Sequence, residues 1–374
     1  MALGNDKKSY IPTLNSRNAY KYIFRLFGIS ESSSKSHVRR NNIRYTLLQR
    51  TNTAFNILIV FFQVSVSIAS FFCSDSKDKK RIVVFSSVSL TYCSFRIYLW
   101  IKNYEYKLIV KRIFLISNNI GYEPRVPSWI ILWSILKFCI IIIAFAQYSI
   151  WMSSNLSFRE LFCGYSIPNH YIDTCFPFLY LLSFILFFYV PLSVFDIYYA
   201  MVCNDIASMM NRFRQVIKNS AISNYNNWID IYCEIISVAE CFDSKVGFLV
   251  FITLLYHSFV MYYGFTMIFN TGVEDVKHFS VLVFTYFLSC VNFIARVESA
   301  SRVYVASLAV KHEARKLQTG NYIIDCSYLR FLENCRETSM TVWGFINMRR
   351  NIILGTFGTI LTYSLLFDNL MKFQ

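Results

Sequence analysis

The sequence predicts an all-α membrane protein with seven transmembrane helices, a cytoplasmic N-terminus and an extracellular C-terminus. The first observation behind this prediction is composition. Of the 374 residues, 55% are hydrophobic, 18% are aromatic and only 16% are charged, whereas soluble domains contain about 25% charged residues. The second is a series of apolar stretches near the length of about 20 residues that crosses a bilayer. The third is an uneven distribution of Lys and Arg between the loops.

Seven stretches qualify as spans. The second is diluted by serines, and the sixth runs into Arg296 and Glu298, which blurs its inner end. The predicted spans are residues 54–73, 82–101, 129–152, 175–203, 246–269, 279–298 and 351–371.

The orientation follows from the basic residues between the spans. With the N-terminus inside, 28 Lys and Arg lie on the cytoplasmic side (Arg296 included) and 7 lie outside. Because positive residues stay cytoplasmic, this asymmetry fixes the topology. No apolar stretch that resembles a signal peptide occurs in the first twenty residues, so we expect span 1 to act as the signal. A G-protein-coupled receptor would have the opposite orientation.

Between the spans, two segments keep helical spacing of apolar residues, 206–245 and 299–346. We expect spans 4–7 to extend into the cytosol there and to pack as an anchor domain, either between subunits or within one chain. Residues 20–27 have an apolar face that lies along the inner leaflet or belongs to an ordinary cytosolic tail. The predicted organisation is a cytoplasmic segment 1–45, spans 1–4 in 46–205, cytosolic extensions 206–245, spans 5–6 in 246–298, an extension 299–350 and helix 7 in 351–374.

Enzymatic chemistry has no support in the sequence. We find no Walker loop and no GxGxxG, HExxH or GxSxG motif, and the 11 cysteines form no CxxC pair or metal-ligand cluster. We therefore expect no enzyme activity, no cofactor and no metal. The net charge of +15 is distributed between apolar runs rather than over one exposed face, which argues against nucleic acid as a partner.

The last 25 residues carry a more specific signal. Thr362-Tyr363, five mostly apolar residues and then Asn369-Leu370 resemble the closing signature of the insect gustatory receptor family, in which Gln-Phe ends the motif. Asn369 and Leu370 replace that pair, and Asp368 adds a charge. Seven spans, an internal N-terminus and long cytosolic helices are also similar to that chemoreceptor superfamily.

This resemblance implies a plasma-membrane, multi-pass receptor of a chemosensory neuron. It implies a ligand-gated, non-selective cation channel that a small-molecule tastant opens. The partners implied are permeating cations, the lipid bilayer and other chemoreceptor subunits in a homo- or hetero-tetramer. A secondary transporter and a non-conducting subunit of a receptor complex are the alternatives.

By the same analogy, helix 7 lines the pore and its gate lies at Leu366, Asn369 and Leu370. Helical spacing places Phe373 on this face, with Thr359 and Thr362 below. The alternative is a small-residue packing face formed by Gly355, Gly358 and the threonines. Asp368 lies near the outer mouth, where it favours cations or makes a subunit contact.

Polar side chains within spans are candidates for ligand binding because they are costly in lipid. Gln147, Tyr148 and Trp151 share a face in the outer half of span 3 and form either a pocket or an aromatic belt. His257 is a ligand contact or a satisfied core histidine. The weaker candidates are Tyr180, Tyr262, Tyr263 and Tyr286.

Three further expectations concern single positions. Lys137, inside span 3, extends toward the cytosol or pairs with a carboxylate, for which Asp196 is one possible partner. Asn155 begins the one Asn-x-Ser/Thr sequon and is a possible glycosylation site. Cys163 and Cys175 share the oxidising side and form a possible disulfide.

Overall fold

The computed structural model consists almost entirely of long helices. Apart from isolated positions in 57–65 and at 182 and 185, it describes residues 16–26, 79–155, 189–219, 225–270, 276–316 and 337–372. The helices are α1 (Ser16–Leu26), α2 (Lys79–Asn119), α3 (Ser128–Asn155), α4 (Val190–Asn219), α5 (Tyr225–Asn270), α6 (Val276–Lys316) and α7 (Asn351–Lys372). A two-stranded antiparallel hairpin, β1 (Thr341–Val342) and β2 (Ile346–Asn347), precedes α7.

Helix α4 forms the centre of the bundle. Every residue from 191 to 203 is buried, so the helix is covered on all sides rather than along one stripe. It packs along α6 and also contacts α1, α2, α3 and α5. Aromatic rings fill the space around it: Tyr199 stacks on Phe242 at 5.5 Å, and Tyr198 meets Tyr106 at 5.9 Å.

Helix α2 continues well beyond the predicted span 2, as far as Asn119. It ends at Gly121, whose φ of +60° suits glycine. Tyr122 N–H donates to Ser117 O at 2.8 Å and Gly121 N–H donates to Asn118 O at 3.2 Å. These two bonds form a Schellman cap, which satisfies carbonyls at the helix end. Four of the seven described helices exceed 28 residues, α2 among them.

The predicted helicity of the segment 299–346 is wrong at its C-terminal end. Helix α6 runs to Lys316, but residues 341–347 form the hairpin, with Thr341 paired to Asn347 and Val342 to Ile346. Trp343 and Gly344 make the turn with positive φ angles of 50° and 77°. A β-branched pair followed by glycine favours such a turn over a helix, and the three- and four-residue spacing of apolar side chains obscured it.

The N-terminal helix α1 matches neither alternative drawn from the sequence. Its apolar face packs on protein: Tyr20 is 1% exposed and contacts Tyr198 and Phe114 edge-on. The opposite face carries the exposed residues Arg17 and Lys21. An amphipathic pattern is the same whether lipid or protein covers it.

Within the described residues, one segment has both the length and the apolar composition of a membrane span, Trp228–Thr266. Ser128–Ile143 and Asn351–Leu366 are shorter apolar helices. Seven spans and the orientation of the termini therefore stay predictions, while the helical architecture is observed.

Candidate functional site

Helix α7 has one face that packs against α5 and α6. Ile360 and Ser364 are buried on this face, at 8% and 1% exposure. Phe357 lies one turn earlier and meets Phe293 of α6 edge-on at 6.1 Å between ring centroids. Since residues three and four apart share a helix face, these positions define the side of α7 that belongs to the bundle.

The opposite face of α7 is uncovered in the single chain. Thr359, Thr362 and Leu366 are exposed, Leu366 by 51%. No atom of the described chain lies within 4 Å of a Cβ built at Gly355 or Gly358. The glycine and threonine stripe is thus not a packing face within the described part of this chain.

The two threonines on this face have fixed hydroxyl groups. Thr359 Oγ1 donates to Gly355 O and Thr362 Oγ1 donates to Gly358 O, both at 2.8 Å. Each hydroxyl proton is therefore directed at its own helix, and the oxygen lone pairs are left facing outward. A stripe of this kind presents acceptors, the groups that cations prefer.

The other predicted gate residues lie at the end of α7. Asp368, Asn369 and Leu370 belong to the helix, but their side chains lie outside the described part of the structure, as does Phe373. Tyr363 of the motif is 56% exposed. The gate, including the role of Leu366, therefore stays a prediction.

The structure describes some of the candidates for ligand binding and leaves the others untested. Tyr286 packs edge-on against Phe265 at 4.9 Å and lies across Gly264, where a Cβ would come within 2.7 Å of the Tyr286 ring. Tyr262 and Tyr263 are half-buried on the same helix as Phe265. The side chains of Gln147, Tyr148 and Trp151 on α3, and Tyr180 altogether, lie outside the described residues.

Inside the bundle, the described residues include a buried cluster of ionisable side chains. Lys137 Nζ of α3 lies 2.5 Å from Asp196 Oδ2 of α4, which confirms the predicted pair. Arg296 of α6 contacts the other carboxylate oxygen, Oδ1, and also Thr253 Oγ1 of α5. His257 Nε2 is 3.9 Å from Asp196 Oδ2. We call Lys137, Asp196, Arg296 and His257 the ion cluster.

The ion cluster connects four helices at one depth. Lys137 lies eight residues from the start of the predicted span 3, and Asp196 lies seven residues from the end of span 4. Each of the four side chains is at most 2% exposed. His257 is consequently a buried member of this cluster.

Arg296 is the member that sequence reasoning missed. It stands two residues from the end of the predicted span 6, where an arginine usually reaches the membrane surface. The nearby Glu298 is the real surface residue, because it holds the exposed Arg350 through two hydrogen bonds of 2.9 Å. Arg296 therefore belongs to the interior of the bundle, whereas Glu298 lies nearer its surface.

A second buried carboxylate on α4 lies outside the predicted spans. Asp205 Oδ2 accepts a hydrogen bond of 2.9 Å from Tyr20 of α1. Burial raises the pKa of Asp205 to about 7, against the opposing effect of the Tyr20 hydrogen bond. Burial, followed by the neighbouring Asp205, also raises the pKa of the Tyr20 phenol well above its usual value. This contact fixes α1 on the bundle.

The hairpin is held on α5 by a third carboxylate, Asp243. It accepts bonds from Thr341 N–H at 2.7 Å and from Thr341 Oγ1 at 2.5 Å. Burial raises the pKa of Asp243, and these two bonds oppose that rise. Gly247, one turn further along α5, lets the backbone of Trp343 approach, since a Cβ there would be 3.2 Å from Trp343 Cα.

The predicted modification sites are not tested. Cys163 and Cys175 lie outside the described residues, and the side chain of Asn155, the last residue of α3, does too. In the described ranges, no group of three or more His, Cys, Asp or Glu residues is placed to hold a metal ion.

Comparisons with known proteins give a fold and no sequence family. No protein-family model matches the sequence, and no curated protein matches it. Among solved structures, the chain resembles the insect olfactory receptor OR5 from Machilis hrabei. That match has a TM-score of 0.70 at 13% identity and covers 94% of this chain and 98% of the other.

The same receptor solved in complex with eugenol matches with a TM-score of 0.65 at 15% identity, covering 95% and 98% of the two chains. At these identities the likeness concerns the fold. Over nearly its whole length, the chain shares the fold of an insect olfactory receptor.

Proposed function

We propose that the protein is a gustatory, or chemosensory, receptor of the plasma membrane and acts as a ligand-gated, non-selective cation channel. Its subunits assemble as a tetramer around a central pore that α7 lines. A small-molecule tastant binds in the outer half of the bundle and favours the open pore.

One observation carries this proposal: α7 leaves its glycine and threonine face uncovered by the described part of the chain. Ile360 and Ser364 hold the helix on α5 and α6, while Thr362 and Leu366 face away. A transmembrane helix with such a face needs either lipid or a second copy of itself. Lipid is a poor partner for outward-facing hydroxyl oxygens, whereas a pore gives them water and cations.

The proposed order along the pore follows the helix. The threonine oxygens form a hydrated inner section, and the leucines at 366 and 370 form an apolar constriction that closes by dewetting. Asn369 and Asp368 lie near the outer mouth, where a ring of carboxylates raises the local cation concentration. The closing motif and the OR5 fold support this assignment, and the motif favours the gustatory branch.

Ligand binding supplies the energy for opening only if the open state binds better. The proposed pocket uses Gln147, Tyr148 and Trp151 of α3, with Tyr262 and Tyr286 across the bundle. An amide supplies hydrogen bonds, and the aromatic rings supply stacking area. The solved OR5 complex contains eugenol, so eugenol is a reasonable first probe for this chain.

The test is a substitution at the constriction. Leu366→Ser should raise the ligand-independent cation current, because a hydroxyl hydrates the closed gate. A shift of about 1.4 kcal/mol between closed and open states changes their ratio about tenfold. The measurement is whole-cell current without ligand, normalised to surface protein.

Leu361→Ser is the matched control, since Leu361 is a 40% exposed leucine of the same helix that points to a different side. It should leave the basal current unchanged. If both variants reach the surface and neither conducts more than wild type, α7 does not form the gate.

A further inference from the structure

The ion cluster has an unbalanced charge. It contains two cations, Lys137 and Arg296, and one carboxylate, Asp196. Among the described residues, Asp196 is the one carboxylate within 4.0 Å of either cation. All three side chains are 0–1% exposed, so bulk water does not compensate the remaining positive charge. An unpaired charge in such a place is strongly unfavourable.

The cluster also has hydrogen-bond donors left over. Arg296 uses Nη1 on Thr253 and Nη2 on Asp196, but its Nε–H has no partner in the described part of the chain. Neither ring nitrogen of His257 has one there, and one of the two carries a proton even in the neutral ring. Buried donors of this kind point to a water or an ion that completes the site.

Asn292 adds a third group on the same helix face as Arg296, one turn earlier. Its side chain is 2% exposed, and its Oδ1 has no partner among the described residues. This oxygen is an acceptor and does not itself bind an anion. The unused donors are those of Arg296 and His257, while the carboxylate of Asp196 is already used twice.

A bound anion would balance the excess positive charge and also accept hydrogen bonds from the unused N–H donors. We propose that the ion cluster, Lys137, Asp196, Arg296 and His257, is a binding site for one small monovalent anion, with chloride as its natural occupant. Arg296 Nε–H and the imidazole N–H of His257 donate to the anion, and Lys137 supplies the balancing charge. The anion makes the cluster neutral and leaves the Asp196 contacts in place.

The surroundings favour a small inorganic anion over an organic ligand. Four helices enclose the cluster, and none of its side chains exceeds 2% exposure. The site lies between α3, α4, α5 and α6, away from the exposed face of α7. It is therefore structural rather than part of the permeation path, and its occupation does not depend on whether the protein conducts.

The experiment uses the full chain, purified into nanodiscs, in sodium chloride or sodium gluconate of equal ionic strength. Gluconate is too large for an enclosed site. Chloride should raise the thermal unfolding midpoint, by about 3 °C when its concentration is a hundredfold above Kd. Equilibrium dialysis with radioactive chloride should find one ion per chain. Formate, tested in parallel, shows whether a carboxylate replaces the halide.

The deciding variant is Lys137→Met, which removes the excess charge and leaves the Asp196–Arg296 pair balanced. It should abolish the chloride-dependent shift and the bound chloride. Lys311→Met is the control, because Lys311 pairs with Glu337 in an exposed position. That control should keep the full chloride response.

The proposal is overturned if the wild-type midpoint is the same in chloride and gluconate and dialysis finds no bound chloride. In that case Lys137 is neutral in the folded protein. It is equally overturned if Lys137→Met folds and keeps the chloride response. Should that variant not fold, dialysis with the wild-type protein decides alone.

Discussion

Two buried aspartates of α4, nine residues apart, have different kinds of partner for their carboxylates. Asp196 and Asp205 are both at most 2% exposed. Asp196 lies within a predicted span and binds two cations from other helices. Asp205 lies beyond the span and has a hydrogen bond to the neutral phenol of Tyr20. The predicted position of each aspartate relative to the membrane, and not burial alone, accounts for the difference between their partners.

Inside the bilayer, a lone carboxylate is not hydrated, so its charge must be balanced by other charges. Outside the predicted span, a carboxylate can take up a proton instead. Burial raises the pKa of Asp205 to about 7, so its charge changes near neutral pH. One aspartate therefore acts as a permanent ionic link between helices, and the other as a titratable contact.

The strongest test of this comparison removes the carboxylate that holds two charges. Asp196→Ala leaves Lys137 and Arg296 both uncompensated, and we expect it to cost about 3–5 kcal/mol. Thermal unfolding of the protein in nanodiscs measures this loss. The double variant Asp196→Ala with Lys137→Met should recover part of it, because one stranded charge disappears. A single variant as stable as wild type would contradict the ionic role of Asp196.

A smaller effect is expected when Asp205 loses its donor. Tyr20→Phe removes one hydrogen bond from a buried acceptor and should cost about 1–3 kcal/mol. Hydrogen exchange of residues 16–26 reports whether α1 has loosened. Tyr22→Phe is the control, since Tyr22 is 60% exposed on the same helix. Equal protection of α1 in both variants would mean that the apolar face alone holds it.

The smallest effect is a pH dependence that Asp205 alone should contribute. The folded pKa of Asp205, about 7, lies above its unfolded value of about 3.9. The folded state therefore binds the extra proton, and stability falls as the pH rises from about 4 to 7. Between pH 6 and pH 8 the loss is about 1 kcal/mol.

Thermal unfolding at the two pH values measures this change, and Asp205→Asn provides the comparison. The variant keeps a polar partner for Tyr20 and cannot titrate, so its dependence should be smaller by this amount. An unchanged difference between pH 6 and pH 8 in Asp205→Asn would assign the pH dependence to another group.

The sequence was informative wherever one physical constraint acted alone. For Lys137 the sequence left two alternatives, extension toward the cytosol or pairing with a carboxylate such as Asp196, and the structure shows the second. The three- and four-residue spacing in α7 predicted that Thr359, Thr362 and Leu366 share one face. These residues do share the uncovered face, although their role in the pore stays a prediction.

Prediction failed where two environments produce the same pattern. The apolar face of α1 suits lipid and protein equally, so the sequence pattern did not distinguish contact with lipid from packing against α4. Residues 341–347 repeat apolar side chains at helical spacing, yet Trp343 and Gly344 turn the chain into a hairpin. Arg296 lies near the end of predicted span 6, where arginines commonly reach the membrane surface. Its burial against Asp196 becomes visible only in the structure.

The ion cluster also imposes an order on synthesis. Asp196 follows Lys137 by 59 residues, so its carboxylate is available soon after the third helix leaves the ribosome. Arg296 follows Asp196 by a further 100 residues. The third and fourth helices can thus enter the membrane as a neutral pair, while the sixth helix carries an arginine that becomes compensated only on joining them. Closure of the bundle around the ion cluster thus waits for the sixth helix.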